Sequence, residues 1–428
     1  MKLHASWQAP ADTRQLDASS NHQFSIMLLG IAQICSWGTL YYSFPQIAEA
    51  AMAEFSWNKS ETYGALTLGL MLSAFAGLPI GSAIDRGHGR LVMTWGSVLA
   101  GLLFILGSQL NSLMGFYVLF GAIGFLHSAT LYEAAFSVIA NRFNGEQSKK
   151  HITTLTLWGG FASTLFIPLI EWLLQHGDWR LVMQIIGLIN ILICGVIYYR
   201  LPQADPVLVE QHCCEKEQKE QQQKKDKPKR NLAWALRQPV FWTLLICFSI
   251  FAAATTAFKF HLYPLLLEKG LSAKEVVGVL MVLGPAQVVG RLLLKLFAEK
   301  ISMIHLGILV ASALPVVFSA LAFLPTEFWI IIPFAILFGA ATGTMTIVKG
   351  IAVPELLTRD AYGAINGAMN LPVKTIKALS PSIAALIWVI AGGYQGLLQV
   401  LIVLGVLATV CFSLASLLAN KKTLNSFF

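Results

Sequence analysis

The chain has 428 residues, of which 56% are hydrophobic and only 12% are charged, and its mean hydropathy is +0.66. A soluble domain of this length fills its core with far less apolar sequence, so the composition excludes a soluble globular protein and predicts an all-α membrane protein. The net charge of +8 does not indicate a nucleic-acid partner, because that interpretation requires a soluble basic domain.

Twelve apolar segments are long enough to cross a bilayer, which takes about 20 mostly apolar residues in a helix. They run from Ser25 to Ala48, Tyr63 to Ile84, Leu91 to Leu110, Phe116 to Ala140, Thr153 to Leu174, Leu181 to Tyr199, Val240 to Pro264, Val276 to Phe297, Ile304 to Leu324, Trp329 to Val348, Gly363 to Ala391 and Leu397 to Leu418. The residues before the first segment are polar, and that segment is long enough to span, so we expect no cleaved signal peptide.

The distribution of lysine and arginine predicts the orientation, because these residues accumulate in short cytoplasmic loops. With both termini in the cytoplasm, 22 of the 30 basic residues fall in cytoplasmic segments and four fall outside. The other four, Lys259, Arg291, Lys374 and Lys377, lie well inside predicted helices, whereas Lys295, at the cytoplasmic end of the eighth segment, is counted with the cytoplasmic residues. We therefore predict a multi-pass protein of a bacterial-type inner membrane, surrounded by lipid and acting as a monomer.

One long hydrophilic segment, rich in lysine, glutamate and glutamine, divides the helices into two sets of six. This composition is typical of a solvated linker. We predict a cytoplasmic N-terminal tail, a first six-helix half, a cytoplasmic linker, a second six-helix half and a cytoplasmic C-terminal tail, at 1–24, 25–200, 201–238, 239–420 and 421–428. Similar sequences follow the second and eighth helices, which predicts two pseudo-symmetric halves.

The segment GSAIDRGHGRLVM, after the second helix, carries glycine, aspartate and arginine at fixed spacing. A carboxylate near a helix end can pair with basic groups and with a neighbouring helix N-terminus. The candidates for a cytoplasmic gate are Gly81, Asp85, Arg86, Arg90 and, after the eighth helix, Glu299. The spacing resembles the loop between the second and third helices of the major facilitator superfamily, although His88 stands where many members have glycine.

This resemblance covers nearly the whole chain and implies twelve helices in two halves that alternate access to a central site. Within the superfamily, the Gly290-Arg291 pair resembles the eighth helix of the oxalate/formate antiporter and monocarboxylate transporter group. The resemblance implies that Arg291 binds a substrate carboxylate and that a lysine on the eleventh helix assists it. Lys374 is the candidate for that lysine, whereas an alignment on the Tyr-Gly at 362–363 places Met369 or Asn370 there.

Lys374 and Lys377 lie on one side of the eleventh helix, close to its middle. A charge at this depth costs about 2.5 to 3.5 kcal/mol and persists where it faces protein or water. Asn370 and the prolines at 372 and 381 predict an irregular helix that lines a cavity. Two hypotheses remain open, because these lysines could bind an anionic substrate or pair with a carboxylate on another helix.

Glu133 is the acid that we expect deepest in the bundle, at a depth where it could pair with Arg291. It is the candidate proton carrier, and His127 on the same helix could assist. A structural ion pair and a hydrogen-bonded packing role are the respective alternatives. Trp37 and Tyr41 share a helix face, so they could form an aromatic wall of the substrate site or pack against lipid or core.

The remaining polar groups in the apolar segments have simpler explanations. We expect Lys259 to extend to the outer interface and Lys349 to be an interfacial charge. His212, Cys213 and Cys214 are adjacent in the linker and could bind a soft metal, but they lack a second pair of ligands. We therefore predict no metal, no other cofactor and no disulfide framework.

These observations predict a secondary active transporter and not an enzyme. Its substrate is expected to be a small organic anion, and protons or a counter-anion would drive its movement between the two halves. Efflux of varied amphipathic compounds is a second hypothesis, which the aromatic content favours. A third, from a different class, is a nutrient sensor that binds its ligand without moving it.

Overall fold

The computed structural model describes residues 25–143, 145–202, 231–297, 302–358 and 362–425, and their regular structure is entirely helical. The first half consists of α1 (residues 25–37 and Phe44–Phe55), α2 (Lys59–Ala83), α3 (Gly89–Gly107), α4 (Leu113–Thr130 and Tyr132–Ala140), α5 (Gly145–Gly159 and Ala162–His176) and α6 (Trp179–Ile189 and Val196–Arg200). The second half consists of α7 (Pro239–Glu268), α8 (Ala273–Phe297), α9 (Met303–Phe323), α10 (Phe328–Leu356), α11 (Tyr362–Ala391) and α12 (Tyr394–Asn425).

These twelve helices correspond to the twelve predicted segments. Within the described residues, ten helical stretches are long and apolar enough to cross a membrane. One of them, Lys59–Gly107, contains both α2 and α3, and α1, which a π-helical turn, Gly38–Tyr42, divides, is the helix outside this set. The predicted all-α membrane fold is therefore confirmed.

Local polar groups set where several helices begin. Asn58 accepts a hydrogen bond from the amide of Ser60 at the start of α2 (2.9 Å), and Asp178 accepts one from Leu181 at the start of α6 (2.9 Å). Such caps satisfy amides that have no partner within the helix. Pro239 begins α7, at a position where its missing N–H costs nothing.

The helix α11, which the sequence predicts to be irregular, is continuous through both of its prolines. Pro381 cannot donate to the carbonyl of Lys377, four residues earlier. The hydroxyl of Ser380 donates to that carbonyl instead, at 2.9 Å. This side-chain donor replaces the missing backbone donor at Pro381, one of the two prolines where the sequence predicts an irregular helix.

The two halves repeat one packing pattern. In the first half α2 packs on α4 and α3 on α6, and in the second half α8 packs on α10 and α9 on α12. Each half has its own apolar core, and only a few side chains, such as Ile167 and Phe260, belong to the core of the opposite half. This repetition is the pseudo-symmetry that the sequence predicts.

The halves meet along two helix pairs, α2 with α11 and α5 with α8. In the second pair the backbones touch, because a Cβ placed on Gly284 would lie 1.9 Å from the carbonyl oxygen of Gly160. Only glycine permits such an approach at Gly284. We call the two ends of the bundle the Lys59 end, where α2 begins, and the Asp85 end, where α2 turns into α3.

Candidate functional site

A narrow cavity, which we call the Lys259 cavity, lies between the halves. Its walls come from α1 and α5 of the first half and from α7 and α8 of the second. Its polar lining includes Tyr42, Gln46, Ser163, Lys259 and Gln287. A cavity with walls from both halves changes shape whenever the halves move relative to each other.

Trp37 and Tyr41, which the sequence proposes as an aromatic wall, contact each other on α1. Trp37 and Tyr41 pack edge to face, with ring centroids 5.2 Å apart, and Tyr41 lies 4.7 Å from the ring of Phe260 on α7. Tyr41 lines the Lys259 cavity, whereas Trp37 lies behind it against Tyr132, at 4.9 Å. Tyr42 also lines the cavity, which the shared-face argument for Trp37 and Tyr41 does not anticipate.

Arg291 bonds to two backbone carbonyls on different helices. Its Nε donates to the oxygen of Gly343 on α10 (3.3 Å), and its Nη1 donates to the oxygen of Thr156 on α5 (3.2 Å). The Thr156 carbonyl is available because the amide of Gly160 turns to Leu157 where α5 is interrupted. Arg291 therefore crosses between the halves without an acidic partner among these contacts.

The acid Glu133 pairs with Lys374, and not with Arg291 as one hypothesis proposed. The Lys374 Nζ lies 2.5 Å from Glu133 Oε1, and their side chains are 46% and 55% exposed. Lys377 lines the same opening, which we call the Glu133 cavity. Exposure of an ion pair at the middle of a membrane helix indicates contact with water, because exposure to lipid would be costly.

Asn370 is already engaged in this conformation. Lys349 donates to its Oδ1 at 2.7 Å, which joins α10 to α11. Lys349 thus has a partner within the second half, where the sequence predicts an interfacial charge. Its ammonium is also an electrostatic neighbour of Lys374 and Lys377, so the basic region extends further toward the Asp85 end than expected.

Lys259 does not extend to the outer interface, which corrects the prediction for this residue. Its side chain lines the cavity that bears its name, with Nζ 6.0 Å from the ring centroid of Phe338. It is an electrostatic neighbour of both Arg291 and Lys377. Lys259 lies nine residues before the end of α7, or about 13 Å at 1.5 Å per residue, a depth that could have identified it as an interior charge.

A second acid was also missed, because Glu133 is not the most deeply buried carboxylate. Glu171 on α5 is 8% exposed. Its carboxylate accepts hydrogen bonds from Tyr263 on α7 (2.7 Å) and from Gln46 on α1 (3.1 Å). Glu171 lies within a predicted span but close to its end, so the sequence gives it no clear depth.

His127 is buried and bonds to the π-helical turn of α1. Its Nε2 lies 3.1 Å from the carbonyl oxygen of Leu40, a residue of that turn. The ring is also near Tyr41, with centroids 6.4 Å apart. This geometry matches the packing alternative, and it leaves a role in proton transfer as a hypothesis.

The glycine- and arginine-containing motif forms the turn between α2 and α3. Gly87 has a φ of +90°, a conformation that favours glycine, so the histidine at 88 does not remove the residue on which the turn depends. Arg90 lies over the ring of Tyr199, 4.6 Å from its centroid, and Arg86 is exposed. The paired candidate, Glu299, lies outside the described residues.

The Lys59 end holds the halves together through a polar network in which Tyr63, His261 and Tyr394 are buried and the ion pair of Lys59 with Glu49 is partly buried. Lys59 Nζ lies 3.1 Å from Glu49 Oε1 and donates to the hydroxyl of Tyr394 on α12 (3.3 Å). His261 on α7 contacts the same hydroxyl at 2.9 Å and stacks on Tyr63 of α2, at 4.2 Å between centroids. Deeper along α2, the hydroxyl oxygens of Thr67 and Ser382 are 2.6 Å apart.

The part of the chain that the structure describes contains no cluster of three or more histidine, cysteine or acidic residues that could hold a metal. His212, Cys213 and Cys214, which the sequence raises as a minor metal site, lie outside the described residues.

Comparison with known sequences places this geometry in context. A profile of the Major Facilitator Superfamily matches residues 27–373. Monocarboxylate transporter 13 of Bos taurus is 27% identical over 188 residues, which are 43% of this chain and 42% of the relative. The Rattus norvegicus protein of the same name is 28% identical over 177 residues, 40% of this chain and 39% of the relative. The alignments thus span less than half the length of these relatives.

Two solved structures share the fold over nearly the full chain. A bacterial homologue of the human lysosomal transporter Spinster, in an inward-facing and occupied conformation, superposes with a TM-score of 0.65 at 16% identity, covering 92% of this chain and 97% of that one. The nucleoside transporter NupG gives a TM-score of 0.67 at 11% identity, covering 92% of this chain and 98% of that one. At these identities the likeness concerns the fold alone.

Proposed function

This chain belongs to the major facilitator superfamily, and we propose that it is a secondary active transporter of a small organic carboxylate. The observation that carries the proposal is the imbalance of charge between the halves. Lys259, Arg291, Lys374 and Lys377 line or adjoin the two cavities, whereas the acids are Glu133 at the Glu133 cavity and Glu171, which accepts hydrogen bonds from Gln46 and Tyr263 of the Lys259 cavity. An excess of cations in a membrane interior suits an anionic substrate that neutralises them.

The placement of the polar contacts supports alternating access. In this conformation the Lys59 end is closed by buried contacts, and the Glu133–Lys374 pair is exposed. A substrate carboxylate could replace Glu133 on Lys374 and approach Arg291, whose guanidinium can bind a carboxylate through two parallel hydrogen bonds. Rocking of the halves would then expose the anion at the other end.

Proton coupling follows if Glu133 and the substrate compete for Lys374. Protonation of Glu133 would remove its attraction for Lys374 and so favour the incoming carboxylate. The names of the monocarboxylate transporter relatives support a carboxylate, and exchange for a counter-anion is the alternative source of drive. We place the protein in a bacterial-type inner membrane with the Asp85 end toward the cytoplasm, on the distribution of basic residues.

The test is carboxylate binding to purified protein across the cycle Arg291→Lys, Lys374→Ala and the double variant. Lysine keeps the positive charge of Arg291 but cannot form two parallel hydrogen bonds to one carboxylate. We therefore expect carboxylate binding to weaken about tenfold or more. The double variant should lose less than the sum of the single losses, since both residues act on one group.

The control is Arg237→Lys, which makes the same change at an exposed position and should leave binding unchanged. Counterflow in proteoliposomes separates transport from sensing. Near-native affinity in both single variants, or strictly additive losses, would contradict the shared anion site and favour efflux of varied amphipathic compounds.

A further inference from the structure

His261 is a fully buried histidine on α7, and both of its ring nitrogens have partners. Its Nε2 lies 2.9 Å from the carbonyl oxygen of Pro381 on α11, and its Nδ1 lies 2.9 Å from the hydroxyl oxygen of Tyr394 on α12. Its ring also stacks on Tyr63 of α2, with 4.2 Å between centroids. One side chain therefore contacts three other helices, and of these only α2 belongs to the opposite half.

These contacts determine which nitrogen of the ring carries the hydrogen. A carbonyl oxygen only accepts, so Nε2 carries the hydrogen and donates to Pro381. In the neutral ring Nδ1 is then an acceptor, and the hydroxyl of Tyr394 donates to it. The oxygen of that hydroxyl accepts in turn from Lys59 Nζ, at 3.3 Å. The hydrogen bonds thus run in one direction, from Lys59 of the first half to Pro381 of the second.

A second proton on His261 does not fit this arrangement. Nδ1 would become a donor directed at the oxygen of Tyr394, which already accepts from Lys59. The hydroxyl hydrogen of Tyr394 would then lack an acceptor, because its oxygen contacts no other polar group among the residues that the structure describes. The imidazolium would also repel the ammonium of Lys59, its electrostatic neighbour.

The carboxylates near this network are bound to other groups. Glu49 of α1 pairs with Lys59 at 3.1 Å, and Glu268 of α7 accepts from the backbone amide of Tyr394 at 2.7 Å. The ring of His261 itself faces a backbone carbonyl on α11, a hydroxyl on α12 and an aromatic ring on α2. The closed geometry therefore requires that His261 is neutral.

Separation of the halves at the Lys59 end would remove both obstacles to a second proton. Tyr394 and Pro381 lie in the same half as His261 and stay with it, whereas Lys59 and Tyr63 leave with α2. The oxygen of Tyr394 is then free to accept from Nδ1, and water can accept the hydroxyl hydrogen. A histidine in contact with water carries a positive charge below about pH 6.5. The open form thus binds a proton that the closed form excludes.

We propose that His261 is a proton-binding site that forms only when the Lys59 end opens, so that acid drives this end open. A ligand that binds one of two conformations shifts the population toward that conformation. The inference goes beyond the proposed function, because it depends neither on a particular substrate nor on Glu133. For one histidine that titrates at about pH 6.5 in the open form, lowering the pH from about 7.5 to 5.5 raises the ratio of open to closed protein about tenfold.

The experiment measures the distance between spin labels on cysteines that replace Glu61 of α2 and Lys274 of α8. Both positions are exposed and lie at the Lys59 end of opposite halves. The background carries serine at Cys213 and Cys214, and purified protein is used without substrate. We expect the ratio of the longer to the shorter distance to rise about tenfold between about pH 7.5 and 5.5. In His261→Gln, which cannot gain a charge, this ratio should not depend on pH over that range.

The matched control is His176→Gln, because His176 is an exposed histidine at the end of α5 on the same side of the bundle. Its ratio should follow that of the unmodified protein. Thermal unfolding verifies that each variant folds. If His261→Gln does not fold, His261→Asn replaces it, since the oxygen of asparagine can accept from Tyr394.

A second measurement keeps His261 and locks the end shut. Thr67→Cys and Ser382→Cys replace hydroxyls whose oxygens are 2.6 Å apart, and the oxidised protein should bind fewer protons than the reduced protein between about pH 7.5 and 5.5 in a potentiometric titration.

Three results would overturn the inference: a ratio in the unmodified protein that does not change with pH, an undiminished change in the His261 variant, or equal proton binding by the oxidised and reduced proteins. Loss of the pH dependence in His176→Gln would also overturn it, because the proton would then bind at His176. No substrate is present in these measurements, so each of these results leaves the binding test at Arg291 unaffected.

Discussion

The two ends of the bundle join the halves in different ways. At the Lys59 end, Lys59, Tyr63, His261 and Tyr394 form a buried network of ion-pair, hydrogen-bond and stacking contacts. Toward the Asp85 end, the cross-half contact of Glu133 with Lys374 is half exposed. At Gly81 and Gly350 no heavy atom would lie within 4 Å of an added Cβ, so there is open space beside these two positions.

This difference indicates which contacts between the two halves stabilise this conformation. Buried, mutually satisfied polar groups exclude water and hold one geometry. An exposed ion pair contributes little and exchanges partners readily. The Lys59 end is therefore suited to remain shut, whereas the Glu133–Lys374 contact is suited to be replaced by a ligand or a proton.

Locking the Lys59 end should have the largest effect. Thr67→Cys and Ser382→Cys replace two hydroxyls whose oxygens are 2.6 Å apart. We expect the oxidised double variant to lose transport and to regain it in reductant, because a disulfide would forbid opening at this end. The measurement is substrate flux in proteoliposomes with and without reductant.

The background for this test replaces Cys213 and Cys214 with serine, and the four described cysteines are buried. Each single cysteine variant serves as a control and should respond to oxidant no more than the background does. Full transport by the oxidised, cross-linked protein would show that the Lys59 end need not open.

Labelling should then establish which side of the membrane each end faces. Cysteines at Lys219 and Asn425 should react only with reagents supplied from the cytoplasm, as the distribution of basic residues predicts. A cysteine at Lys274, at the Lys59 end of α8, should react only from the outside. If a cysteine at position 219 or 425 reacted with a reagent supplied from outside intact cells, the orientation would be the reverse of the predicted one.

Neutralising the exposed pair should uncouple transport without stopping it. Glu133→Gln removes the group that would carry the proton and keeps a similar shape, so uphill accumulation should fall to equilibrium while exchange between equal substrate concentrations continues. The readout is accumulation under a proton gradient at several pH values. If the pH dependence of substrate accumulation were unchanged in this variant, Glu133 would be only a structural partner of Lys374.

The smallest predicted effect concerns the turn at the Asp85 end. Gly87→Ala places a side chain at φ +90° and should destabilise the protein by about 1 kcal/mol. Gly81→Ala is the matched control, since a Cβ there would meet no atom within 4 Å and alanine favours a helix. The Gly87 variant should melt at a lower temperature than the Gly81 variant, and equal melting would argue against strain at this turn.

The fold was predictable because the apolar segments are long and the signal repeats twelve times. The ends of the helices were less predictable. For example, α10 continues to Leu356, eight residues beyond its predicted end. The length of an apolar segment indicates only the part of a helix that contacts lipid or the protein core. The interruption of α5 at Gly159 was not predicted, because it depends on how the Thr156 carbonyl bonds to Arg291 and Tyr132.

The candidate site was predictable in its residue types more than in its contacts. The family resemblance identified Arg291, and depth in the predicted helices identified Lys374 and Glu133, yet the sequence left the partner of Glu133 open and gave Lys259 to the interface. Partners across the two halves depend on helix rotation, which a single sequence does not fix. Tyr42 was missed because the wide turn Gly38–Tyr42 shifts the faces of α1 from the ordinary 3.6-residue period.

The backbone contact between Gly160 and Gly284 has the position of a pivot between the two halves. Gly284 lies 11 residues from the start of α8 and 13 from its end, so the two arms measure about 16 and 20 Å. Nearly equal arms convert a tilt at one end into an opposite displacement of similar size at the other. The pivot lies near the middle of α8, and no side chain separates the two backbones. The two ends of the bundle therefore cannot open at the same time unless α5 and α8 separate.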